Sequence, residues 1–181
     1  MRKLRIVLCV LAPAWALALF LPAAAPAAVD MFLEVDNLKG ESQNDSYKDQ
    51  IDVLAFSWGV SNAKAAKANF QDLSLTKYVD KASPRLLELV ASGQMTARAK
   101  LHVVRASNQQ EFLRYCFTGI RFTSLSGGGS GGEDRLTENI TFSYQTIVER
   151  YEPQDETGKP LPPVFGGWDL INNLQFGPAG C

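Results

Sequence analysis

The sequence predicts a mainly β protein: a compact, closed or nearly closed barrel of two packed antiparallel sheets, with one short flanking α-helix and one extended loop. Three observations predict it. Apolar residues recur at period two in about six segments separated by turn-forming residues. A single segment has the start, spacing and stop of a helix. The 181 residues are 46% hydrophobic and 20% charged, enough apolar material for one buried core and too much for a disordered chain.

Residues 1–27 read as a secretory signal peptide. Arg2, Lys3 and Arg5 precede an apolar run from Ile6 to Leu21, and Ala25 and Ala27 flank Pro26 in the small-x-small pattern that signal peptidase cuts. The run is about 16 residues, short of the roughly 20 that span a bilayer, so no stable membrane anchor is expected. Residues 28–181 are then the folded domain, expected in the periplasm or outside the cell. Without the leader's three basic residues the body holds 15 basic against 19 acidic groups, a net charge of −4. That balance argues against a nucleic-acid partner, which needs a basic surface.

The first strand is expected at Met31 to Asp36, followed by a polar stretch from Asn37 to Asp49, too long for a hairpin turn and expected to project from the body. Gln50 to Gly59 places Ile51, Val53 and Ala55 on one face and Leu54, Phe56 and Trp58 on the other, a strand apolar on both sides. Further strands are expected at Phe70 to Tyr78, Ala97 to Ala106, Glu111 to Leu125 and Thr137 to Tyr151. Between the third and fourth lies the helix, Ser83 to Gly93, with Ser83 as N-cap, Pro84 at the first helical position and Gly93 as the stop. Ser126 to Gly132 contains only Ser and Gly and reads as a flexible connection; Glu152 to Pro163 is rich in proline and charge.

The residues offer little catalytic chemistry. His102 is the only histidine, sits out of phase with Leu101 and Val103, and is expected at solvent or at an interface, without a nucleophile to serve. With no second His and no Cys-x-x-Cys, structural zinc is not expected. The Gly-rich run Gly127 to Gly132 lacks the Lys-Ser/Thr ending of a phosphate loop. Glu133, Asp134 and Glu138 lack calcium-loop spacing and are expected in salt bridges with Arg135 or a neighbour. No cofactor, metal or catalytic residue is assigned. Cys116 and Cys181 remain in the mature chain; geometry decides whether they pair, and two free thiols are the expected state.

Several separated motifs then resemble one family. Gly128 to Thr141, containing Glu133, Asp134 and Arg135, closely resembles the signature of the haemolysin-coregulated protein (Hcp) family, which builds the inner tube of type VI secretion systems. Ala28 to Phe32, Lys39-Gly40-Glu41-Ser42, Ile51 to Gly59, Gln71 to Lys81 and Gly167 to Leu170 follow the same family pattern in order, so the resemblance spans nearly all of residues 28 to 176. It implies homo-hexameric rings that stack into a tube, with spike and sheath proteins and small effectors as partners. It also implies that Ser57 faces the lumen and effectors, and that Lys39, Gly40, Glu41, Ser42, Asp45 and Lys48 lie on a loop reaching a neighbouring subunit or ring. Glu133, Asp134 and Arg135 would lie at a turn or subunit contact.

Two features depart from the family. The insertion after the Trp58-Gly59 strand is short, Val60 to Asn69. The leader is unusual for proteins assembled in the cytoplasm, which opens a second reading: an exported Hcp-like binding protein that works independently of the sheath. An enzyme built on this barrel is the third reading, and its test is loss of an activity on His102→Ala.

Overall fold

The computed structural model describes residues 29–63, 67–132, 134–178 and 181, so the leader, with Ala25 and Ala27, and Glu133 lie outside the described residues. Among the described residues eleven strands and one helix follow in order: β1 (Asp30–Val35), β2 (Ile51–Ser57), β3 (Val60–Ser61), β4 (Asn69–Phe70), β5 (Leu73–Tyr78), α1 (Ser83–Ser92), β6 (Met95–Val104), β7 (Glu111–Gly128), β8 (Thr137–Ser143), β9 (Thr146–Tyr151), β10 (Val164–Asp169) and β11 (Leu174–Gln175). Strands β6, β1, β2, β5 and β8 pair in that order, and β7 joins β8 back to β6, closing a six-stranded antiparallel barrel. Strands β9, β10 and β11 extend from β7 as a flap, and β3 and β4 form a separate small hairpin.

Strand β7 is long enough to serve both the barrel and the flap because it changes partners midway. Residues 113–118 pair with β9, and Arg121 onward pairs with β8. Gly119 lies between the two regions at φ +59°, a conformation side chains rarely adopt, and a Cβ there would stand 2.4 Å from Gln145 Oε1.

The barrel is filled from its inner rows. Leu33, Ile51, Leu73, Leu75, Leu101, Phe117, Ile140 and Phe142 are buried in one cluster, with Phe117 and Phe122 both edge-on to Phe142. The helix contributes Leu86 and Leu89 to that cluster. Its left-handed Gly93 stop is present at φ +65°, but its N-cap is Ala82 and Ser83 is already helical. Ser83 Oγ instead accepts from the Asp80 amide, and Asp80 Oδ1 accepts from the Ala82 amide, so Asp80 caps the turn.

Several expectations change in detail. The segment from Thr137 to Tyr151 is two strands turning at Tyr144-Gln145, and the segment from Phe70 to Tyr78 breaks at Gln71-Asp72. The apolar alternation on both sides of Gln50–Gly59 has a local cause. The register of β2 on β5 slips between Val53 and Ala55, so Leu54 is an extra, exposed residue, and Phe56 and Trp58 rejoin the core side with Ile51 and Val53. The strand is therefore buried on one face, with a bulge that shifts its phase. The two cysteines are not free thiols: Cys116 on β7 and Cys181 form a disulfide, their Cα atoms 5.6 Å apart.

Candidate functional site

The outer face of β2, β5, β8 and the second half of β7 is built from two rows of small side chains, all polar except Ala55. Ser57 lies opposite Ser74, Ser74 opposite Thr141, and Thr141 opposite Ser124. The neighbouring row on that face is Ala55, Thr76, Asn139 and Ser126. Cross-strand partners share a face and alternate residues point away from it, so the core row between them is Phe56, Leu75, Ile140 and Leu125. Ser124 donates to Thr141 Oγ1 at 2.8 Å and Thr76 to Asn139 Oδ1 at 2.7 Å, tying one hydroxyl to a hydroxyl and the other to an amide oxygen across the face. Ser57 is exposed at the β2 end of its row. The result is a neutral, hydrogen-bonding face whose two rows carry no charge and no side chain larger than asparagine.

The arm from Asn37 to Asp49 does not project; it folds back on the barrel. Gly40 sits directly on the start of β2, where a Cβ would lie 2.4 Å from the Gln50 carbonyl oxygen, and its amide donates to the Asp49 carbonyl. Ser42 is buried and exchanges backbone hydrogen bonds with Gln50 and Asp49. Glu41 accepts from the Lys81 amide, and Lys39 and Lys81 both pair with Asp49 at 3.6 and 3.0 Å. Those two lysines hold the Asp49 carboxyl below its usual range, Lys81 first. Asp45 and Lys48 remain exposed at the tip.

What fastens the tip is Tyr47. Its ring stacks on Phe32 at 4.7 Å and lies 5.0 Å from His102, so the histidine expected at solvent or an interface is buried under the arm. His102 Nδ1 meets Glu111 at 2.5 Å and Nε2 meets Glu34 at 3.4 Å. Arg114 binds Glu111 at 2.6 Å, and Arg150 bridges Glu111 and Glu152. Burial raises the carboxyl pKa of Glu111, but the hydrogen bonds from His102 and Arg114 outweigh it and hold the group below its ordinary value. Burial, followed by the Glu111 charge, pushes the Tyr47 phenol up. Both ring nitrogens of His102 face carboxylates, so with the Tyr47 ring over it the cluster anchors the arm.

The signature segment is held at Arg135 by a stacking contact. The Arg135 guanidinium lies 3.7 Å from the centre of the Tyr78 ring, and Asp134 is exposed. Glu138, weighed from sequence as a calcium ligand or a partner of Arg135, points inward and binds Lys77 at 2.7 Å. Lys77 is fully buried and also donates to Asp80 at 2.7 Å and to the Tyr78 carbonyl at 2.7 Å. Sequence reasoning missed this network, although its signal was present: Lys77 continues the phase of Leu73 and Leu75, and Glu138 that of Ile140 and Phe142. Among the described residues no group of three or more His, Cys, Asp or Glu side chains is arranged to hold a metal ion, and no helix is long and apolar enough to cross a membrane.

The chain is similar to known proteins in both sequence and fold. The family described as type VI secretion system effector, Hcp, matches residues 32–151. The protein named Hcp1 from Pseudomonas aeruginosa is 42% identical over 160 residues, covering 82% of this chain and 99% of that protein. A solved structure described as a type six secretion system protein superposes with a TM-score of 0.79 at 32% identity, covering 82% of this chain and all of that one. Hcp1 from Salmonella typhimurium superposes with a TM-score of 0.73 at 29% identity, covering 83% of this chain and 100% of that one.

Proposed function

Since the chain belongs to the Hcp family of type VI secretion proteins, we propose that it is a tube subunit that closes into hexameric rings with the neutral face around Ser57 turned to the lumen. The family is one of structural and secreted proteins, and its members are not classed as enzymes. The observation that carries the lumen assignment is the pair of hydroxyl and amide rows. A conduit for varied cargo requires a wall that hydrogen-bonds weakly with many surfaces and carries no fixed charge to trap one of them. Small side chains also keep the bore open.

Head-to-tail closure of identical subunits requires two different complementary surfaces, and a ring leaves its two ends free for stacking. The exposed tip of the arm, with Asp45 and Lys48, and the signature residues Asp134 and Arg135, with Glu133 beside them in sequence but outside the described residues, supply candidate contacts to the next subunit or ring. Spike and sheath proteins are the remaining partners of this reading.

A second reading is favoured by one observation. The Cys116–Cys181 disulfide is the chemistry of an oxidising compartment, and together with the expected leader it supports an exported Hcp-like protein acting in the periplasm or outside the cell without the sheath. One experiment tests both readings. Native protein is recovered from cytoplasmic, periplasmic and culture fractions, its intact mass is measured, and each fraction is imaged by negative stain. Six-subunit rings in the cytoplasm and culture fluid support the tube; a strictly monomeric protein at high concentration overturns it. A periplasmic species lacking residues 1–27 selects the exported reading. Ser57→Trp is expected to preserve the rings while abolishing co-purification of effectors.

A further inference from the structure

The flap ends in a segment that its own noncovalent contacts hold weakly. Strand β11 pairs with β10 at only two positions, Trp168 with Gln175 and Asp169 with Leu174. Trp168 and Leu170 pack against the core, but Leu174 and Ile171 are 51% and 65% exposed, so the β11 arm itself buries little apolar surface, and two residues of pairing do not hold a strand in water. Beyond β11 the Phe176 amide donates to the Gly167 carbonyl at 3.1 Å, and the chain reaches Cys181, joined to Cys116.

Both ends of this strap have a prepared seat. Gly167 admits the close approach: a Cβ there would stand 2.6 Å from the Phe176 carbonyl oxygen and 3.0 Å from that of Ile147. Cys116 is buried and lies across from Lys100 on β6 and Val148 on β9, while Cys181 is half-buried at the surface. Cys116 alternates with Tyr115 and Phe117, which face the core, so its sulfur belongs to the outer face.

We propose that Cys116–Cys181 is a redox latch: oxidised, it straps the C-terminal segment across the edge of β10, and reduced, it lets that segment leave and uncovers the edge at Gly167. Closure breaks two S–H bonds and forms one S–S bond, and two protons and two electrons pass to a disulfide oxidant that departs as two thiols. Opening is the reverse, by attack of an external thiolate through a mixed disulfide, and Cys181 is the more accessible sulfur. Opening frees the β10 edge at Gly167, Trp168 and Asp169 and so lengthens the edge that β11 leaves open at Val164 and Phe165, which are 58% and 45% exposed. The latch is independent of whether rings form.

The test is peptide-level mass spectrometry with hydrogen exchange on the full chain, equilibrated with an oxidising glutathione couple. The expected result is a linked Cys116–Cys181 peptide that resists iodoacetamide, with Cys9 scored separately. Adding dithiothreitol is expected to raise exchange of amides 174–177 at least tenfold while β6 stays protected. Cys181→Ser should show the fast exchange without reductant. Alkylation of both cysteines after the oxidising incubation overturns the proposal. So does exchange of the segment that is the same in oxidised, reduced and Cys181→Ser protein.

Discussion

Lys77 is a charged side chain enclosed as completely as Leu73 and Leu75 beside it. Its three donors are matched by Glu138, Asp80 and the Tyr78 carbonyl, with Ser83 donating to the same Glu138 oxygen at 2.6 Å. The network ties β5 and the start of α1 to β8, which lies 55 to 61 residues further along the chain. Removing one partner strands the others in a place without water, so Lys77→Met is expected to cost about 3–5 kcal/mol in urea unfolding. Lys77→Met combined with Glu138→Leu should cost less than the sum of the two single changes, with a coupling of about 1–3 kcal/mol. Strict additivity would show that the pair is not formed. At this scale the alternation of β5 and β8 marked both positions as inward, but their partnership spans 61 residues and depends on strand pairing.

Elements meet where strands and the arm share side chains. Glu111 gathers His102 from β6, Arg114 from β7 and Arg150 from β9, under the ring of Tyr47. Because the folded carboxyl titrates below its ordinary value of 4.5, the ionised group stabilises the fold above that pH. The contribution is lost as pH falls through the lower folded value. Urea midpoints measured from pH 7 to 3 should therefore fall more steeply below about pH 4.5 in the native protein than in Glu111→Gln; equal slopes would remove Glu111 from the account. The arm shows why element positions resist sequence reading. Its polar composition suggests solvent, but Gly40, Ser42 and Tyr47 turn inward to contacts supplied by β2, Phe32 and His102. The bulge at Leu54 has a similar origin, since two-sided alternation reads as a two-sided burial until the register slip on β5 is seen.

At the scale of the whole molecule the disulfide closes a loop of 65 residues that contains the end of β7 and all of β8 to β11. Loop-closure entropy of that length corresponds to about 4 kcal/mol, and native-state relaxation brings typical values to about 2–4 kcal/mol. Thermal melts with and without reductant should differ accordingly, and Cys181→Ser should match the reduced melt; superimposable curves would mean that the bond does not form. Local pattern alone determined the β class, the single helix with its Gly93 stop, and the separated motifs that resemble the Hcp family, because period, capping and turn chemistry are properties of neighbours along the chain. The pairing of β5 with β8, the Lys77–Glu138 contact, the burial of His102 beneath Tyr47 and the pairing of Cys116 with Cys181 were decided only by the tertiary structure. Each joins groups tens of residues apart, and no spacing along the chain encodes which distant face will supply the partner.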